Sequence, residues 1–290
     1  MKTLIRNLAI LAGTVIGAAF LTAAPAAAAP GEAHEPENHA WTFEGPFGTF
    51  ERTQLQRGFQ VFQEVCASCH ALEHITFRNL GEGTGPFTCF PDPNAHHEEE
   101  GGHHAEPLCY DNPNDNPVVR QIASAYMIED GPDDAGDMFE RAGTPADNWP
   151  SPFANEQQAR ASNGGAYPPD LSLIVKARAG GADYVRAILL GYHEAPEGVT
   201  MRSGLHYNEY FPGGQIAMAQ PLSDGIVTYA DDTEATTEQM AEDVVTFLAW
   251  ASDPHLVERN RTGLMVLIYL FVFAVLLWFA YKQVWSRVEH

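Results

Sequence analysis

The chain has 290 residues, with 38 Asp+Glu against 16 Lys+Arg and a formal net charge of −22. Residues 30–262 hold 37 of those acids and 12 of those cations, a formal charge of −25. Nucleic acid and anionic lipid are excluded as main partners, because both need basic patches. A cationic protein partner suits such a surface better, and acidity for solubility alone is the bland alternative.

Residues 1–29 carry Lys2 and Arg6, an apolar stretch, then a run of small residues. That order is a secretory signal peptide with cleavage expected within 24–29, and it fits better than an uncleaved anchor. Export places 30–262 in an oxidising compartment.

Over residues 53–70, "TQLQRGFQVFQEVCASCH", Leu55, Phe59, Phe62 and Cys66 recur at three- and four-residue steps. The spacing predicts an amphipathic helix, with Thr53 as its cap. It runs into C-x-x-C-H, the signature of covalent haem c attachment. Cys66 and Cys69 stand three apart, so their sulfurs face one edge of the porphyrin, and His70 follows as proximal iron ligand. A structural zinc site needs a second ligand pair, which Cys89 and Cys109 do not form. A thioredoxin-like dithiol needs a βαβ context that the flanks lack.

Residues 81–116 read as an inserted loop. Its Cys89 and Cys109 are expected to form a disulfide in an oxidising compartment, closing a loop of about 20 residues and contributing about 3 kcal/mol. His96, His97, His103 and His104, with Glu98, Glu99 and Glu100, make a solvated acidic loop the favoured reading over a metal site. Short helices are expected at 117–129, 155–162 and 181–191, among Gly- and Pro-rich loops suited to wrapping a cofactor. An electron carrier also needs a sixth iron ligand, and a methionine raises the reduction potential. Met127 and Met240 read first as core packing. Met218, in the Gly/Pro-rich "YFPGGQIAMAQPLSDG", sits where a ligand loop would approach a flat cofactor.

A second amphipathic helix is expected at 236–250, capped by Thr236 or Thr237 and positioned to pack against the first. Residues 263–281 then run without a charge, and 19 residues at about 1.5 Å each approach the roughly 30 Å hydrocarbon core. Trp278, Tyr281 and Trp285 suit an aromatic belt, and 282–290 form a basic tail.

Five pieces in order, "WTFEGPFGTFERTQLQRGFQVFQEVCASCH", "ASNGGAYPPDLSLIVKARAGGADYV", "YFPGGQIAMAQPL", "TEQMAEDVVTFLAWASDP" and the C-terminal span, resemble cytochrome c1 of the bc1 complex. The resemblance covers nearly the whole mature length. It implies a mainly α, class I cytochrome c-like haem domain with loop insertions over residues 30–262, and one transmembrane helix. It implies one covalent haem c, Met218 as sixth ligand, and haem contacts from Asn163, Pro168, Pro169, Arg178, Tyr184, Phe211 and Ile216. The insertion between Cys89 and Cys109 has no role carried over from the family.

The function the resemblance implies is single-electron transfer from a Rieske iron–sulfur protein, through haem c, to a basic cytochrome c. Cytochrome b is the other expected partner, in a dimeric quinol–cytochrome c oxidoreductase of a bacterial inner membrane. The haem domain would face the periplasm, with no catalytic acid or base on this chain. A membrane-anchored cytochrome of a terminal oxidase or nitric oxide reductase would share the motif and the anchor but lack the 163–184 block. A haem sensor would leave the sixth site open.

Overall fold

The computed structural model of the chain describes residues 33–90 and 108–287. The signal segment, the histidines and acids of residues 96–104, and the last three residues of the tail lie outside the described residues.

Two crossing helices organise the core. Helix α1 spans Arg52–Val61 and continues as a π-helical turn over Phe62–Cys66. Its N-cap is Glu51, not Thr53. The Thr53 hydroxyl turns back onto the Glu51 carboxylate instead of capping a later N–H. The second element of the pair, the sixteen-residue helix Thr237–Ser252, has Thr236 as its N-cap, accepting from Gln239 N at 3.1 Å. The two helices touch at Gly58. A Cβ there would lie 2.0 Å from the Asp243 carbonyl oxygen, so only glycine permits this approach. Around the crossing, Phe59 and Phe62 meet Phe247 at 5.8 and 5.7 Å between ring centroids. Trp149 packs against Phe62 and Phe77. Each such buried aromatic contributes about 1.5–3 kcal/mol. Arg57 closes the polar edge of the crossing with two hydrogen bonds to the buried Asp243, at 2.9 and 3.2 Å, and one to Asp231 at 2.8 Å.

Between these helices the chain is mostly loop. Helix α2, Pro117–Ser124, has Asn116 accepting from Val118 N and Val119 N, and Pro at its first position, where no N–H is needed. It ends five residues short of the expected 129. The residues that would extend it, Met127–Asp130, form strand β3 and pair antiparallel with Phe139–Ala142 (β4). Met127 is therefore an exposed strand residue, not core packing on a helix. Helices α3 (Glu156–Ser162), α4 (Ile174–Ala177) and α5 (Gly181–Leu190) follow. The N-terminal segment straps α5, with Trp41 Nε1 donating to Asp183 at 2.6 Å. Arg186 of α5 reaches Glu238 and Glu242 of the core helix Thr237–Ser252, α6, at 2.6 and 3.2 Å.

Cys89–Phe90 (β1) and Leu108–Cys109 (β2) form a short antiparallel ladder joined by a Cys89–Cys109 disulfide. The start of the expected insertion belongs to the core, since Phe87 stacks edge-on to Phe59 at 5.1 Å. A third hairpin pairs His206–Tyr207 (β5) with Gln215–Ile216 (β6).

The last element, α7, spans Leu256–Trp285. Among the described residues it is the one helix long and apolar enough to cross a membrane, with a mean hydropathy of 2.6 over its most apolar window. It begins seven residues before the expected 263, because nothing between Pro254 and Gly263 breaks the helix.

Candidate functional site

The π-helical turn places the haem-binding motif. Ala67 N donates to the Phe62 carbonyl at 2.8 Å, one residue beyond the α-helical partner. Such bulges mark functional positions often. The Cys66 carbonyl then accepts from both Cys69 N (3.1 Å) and His70 N (2.9 Å), folding the motif into one tight turn. Cys66 and Cys69 are both free thiols, half-buried, and burial together with the neighbouring Cys69 pushes the Cys66 thiol up to about 12.

His70 is oriented from the opposite side. Its Nδ1 lies 2.8 Å from the Pro169 carbonyl. A carbonyl only accepts, so Nδ1 carries the proton and Nε2 presents its lone pair. Burial lowers the His70 pKa, against the opposing pull of the Pro169 carbonyl and Asp170, and so favours the neutral, ligating ring.

Sequence reasoning missed the residues that hold Pro169 in place. The Asp170 carboxylate accepts from Glu73 N and from Ser172 N, each at 2.8 Å. The buried Ser172 hydroxyl accepts from His74 N at 3.1 Å, and Leu171 N donates to the Ala71 carbonyl at 2.9 Å. Three hydrogen bonds thus lace residues 170–172 to 71–74 beside the motif, and the fourth, from Ser172 N, holds the Asp170 carboxylate in place. An Asp-x-Ser step directly after two prolines was the available signal.

The other expected contacts fall into separate groups. Arg178 is exposed, follows α4, and has no ion pair among the described residues. It neighbours Tyr184 electrostatically; burial raises the Tyr184 pKa and the Arg178 charge opposes that. Asn163 ends α3, with its Nδ2 donating to the Ala159 carbonyl at 2.7 Å. Pro168 is half-buried beside Pro169. Phe211 lies in the turn between β5 and β6, Ile216 is buried in β6, and Met218 follows two residues later, half-buried. The Met218 carbonyl accepts from the Tyr192 hydroxyl at 3.0 Å, which ties this loop to the end of α5. The buried Asn208 fixes the same loop by donating to the Ile188 carbonyl at 2.8 Å.

Two free thiols in one turn and an imidazole with its outer nitrogen available fit a covalently attached haem. A family model, the Cytochrome C1 family, matches residues 41–288. The chain belongs to the cytochrome c1 family. It is 46% identical over 289 residues to a cytochrome b/c1 of Bradyrhizobium diazoefficiens, covering 93% of this chain and 38% of that protein. It is 38% identical over 306 residues to cytochrome c1 of Rhodospirillum rubrum, across 100% of both. To the mitochondrial cytochrome c1 haem protein of Kluyveromyces lactis it is 42% identical over 279 residues, covering 96% of this chain and 85% of that one. The cofactor of cytochrome c1 is a covalent haem c, and the protein is an electron-transfer haem protein with a helix suited to single-pass anchoring.

Proposed function

We propose that this chain is the haem subunit of a bc1 complex, a quinol–cytochrome c oxidoreductase. It carries single electrons from the Rieske iron–sulfur protein to a basic cytochrome c. The supporting observation is the motif turn, in which Cys66 and Cys69 share one tight turn and His70 is held by the Pro169 carbonyl with Nε2 free. Bound there, haem c supplies reversible one-electron chemistry at iron.

The protein's own residues bind and orient. Cys66 and Cys69 would hold the haem through thioether links, and His70 and Met218 would supply the iron's two protein ligands. Asn163, Pro168, Pro169, Arg178, Tyr184, Phe211 and Ile216 would contact the bound haem. Arg178, without a carboxylate partner among the described residues, suits a propionate, ideally by a bidentate contact. No acid or base acts on a substrate bond.

The signal segment and α7 orient the haem domain to the periplasmic side of a bacterial inner membrane, beside cytochrome b, in a dimeric assembly. Purification from native membranes tests this reading. Cytochrome b and a Rieske protein should travel with the chain, and the denatured chain should keep its haem on a gel. Co-purification with an oxidase or reductase core instead, or loss of haem to acid–acetone, would overturn it.

A further inference from the structure

The joint between the haem domain and its membrane helix is built, not loose. Asp253 is the C-cap of α6, the first of three residues before α7, and it is only 8% exposed. Its carboxylate accepts from Lys176 Nζ at 2.7 Å and from the Arg259 guanidinium in the first turns of α7. Its own carbonyl accepts from Leu256 N at 3.1 Å, which starts α7 directly off the bend. Burial works against the ionised form of Asp253, but the bonds from Lys176 and Arg259 outweigh it and hold the carboxyl below its usual range.

Two further contacts grip the same helix turns from other parts of the chain. Glu258 lies against Gly83, where a Cβ would approach its Oε1 to 2.6 Å. Asn260 Nδ2 donates to the Gly45 carbonyl at 3.4 Å. Three segments far apart in sequence, around residues 45, 83 and 176, therefore converge on 253–260. Lys176 belongs to α4, and α4 directly follows the Pro169–Ser172 stretch that orients His70.

We propose that Asp253 is a positioning residue that locks the tilt of the haem domain on its membrane helix. It thereby sets the angle of the haem plane to the bilayer. The physical reason is directional. One buried carboxylate shared by a cation from the haem-bearing side and a cation from the membrane helix resists rotation about the bend, because turning either element separates one pair. A pair of exposed charges would not, since water replaces each partner at little cost. An electron carrier fixed this way keeps one orientation toward membrane-bound donors. The inference rests on covalent haem at Cys66, Cys69 and His70.

The test uses the full-length, haem-loaded chain in oriented lipid multilayers, read by electron paramagnetic resonance of the ferric haem. The wild type should show a sharp dependence of its g-features on sample angle. Asp253→Asn, which keeps the shape and removes the charge, should lose most of that dependence, and Asp253→Glu should restore it. Lys176→Gln alters an exposed side chain and should broaden the distribution too, which keeps the test alive if Asp253→Asn fails to fold. Haem content and reduction potential should match wild type in every folded variant. An angular dependence as sharp in Asp253→Asn or Lys176→Gln as in wild type overturns the proposal, and so does a wild type with none. Absence of covalent haem from the wild type would instead strike the underlying haem reading.

Discussion

Met218 and Asp170 bear on the iron in different ways, and substitution separates them. Met218 lies in a loop pinned through its carbonyl by Tyr192, so Met218→Leu should leave the loop in place and remove only the thioether. The reduction potential should fall and the reduced protein should bind carbon monoxide. Unchanged potential and spectrum would exclude Met218 as ligand. Asp170→Ala leaves Glu73 N and Ser172 N without their acceptor. A buried donor left without its acceptor costs about 1–3 kcal/mol; the Ser172 N bond is the sheltered one, while water can reach Glu73 N. The melting temperature should drop by several degrees, at about 2–4 °C per kcal/mol for a domain of this size. Asp170→Asn, which keeps a carbonyl oxygen there, should lose less. At this scale the sequence spoke clearly where side-chain chemistry does the work, as in C-x-x-C-H. It was silent where a backbone group does, because the Pro169 carbonyl that orients His70 has no residue type of its own.

At the scale of elements, Gly58 decides how closely α1 and α6 approach. In an isolated helix Gly→Ala would gain about 1 kcal/mol. Here the added carbon would sit 2.0 Å from the Asp243 carbonyl oxygen, a backbone atom that cannot swing aside. Overpacking typically costs about 1–3 kcal/mol, so the clash outweighs the propensity. Gly58→Ala should lower the melting temperature, and a rise would show that the helices part freely. The joint at Asp253 has its own signature in acid. A carboxyl held below its ordinary pKa contributes stability that is present above the ordinary value, about 3.9, and lost as pH falls below it. The haem-plane order in multilayers should therefore persist from pH 8 down through the ordinary carboxylate range and fade only below it, as the depressed Asp253 carboxyl takes up its proton. The helix at 236–250 was legible because the Thr236 cap preceded an apolar repeat. The 117–129 expectation overran because Met127–Asp130 finds a partner strand nine residues further on, a pairing that local periodicity does not contain.

Across the whole molecule, the charge of −25 on residues 30–262 is a statement about encounter. Electrostatic steering raises association rates by about 10- to 10³-fold and fades once the Debye length falls to about 10 Å. Reduction of a basic cytochrome c by this protein should slow steeply between about 0.01 and 0.1 M salt. A flat profile would leave the acidity a matter of solubility. The β3–β4 hairpin sharpens the expectation, since its acids are not equivalent. Asp130 is committed to Arg141, and Asp133 accepts from Ala135 N and Asp137 N within its own turn. Glu129, Asp134 and Asp137 have no ion pair among the described residues, and exposed Met127, Met138 and Phe139 lie beside them. Charge reversal at Glu129 or Asp134 should cut the low-salt rate, while reversal at Asp130 should act by loosening the hairpin.

The crossing of α1 and α6 also governs the order in which this protein can come into being. The two halves of the contact, Gly58 and Asp243, stand almost the full length of the haem domain apart, and α7 begins four residues after α6 ends. During synthesis the haem-binding turn emerges early, yet the surface that α1 must cover arrives last, with the membrane helix directly behind it. Closing so long a loop is slow, because its entropy is lost before the contact rewards it. The cysteines therefore stay on an open chain until nearly all of it has been translated, and the core shuts only as the anchor itself is delivered.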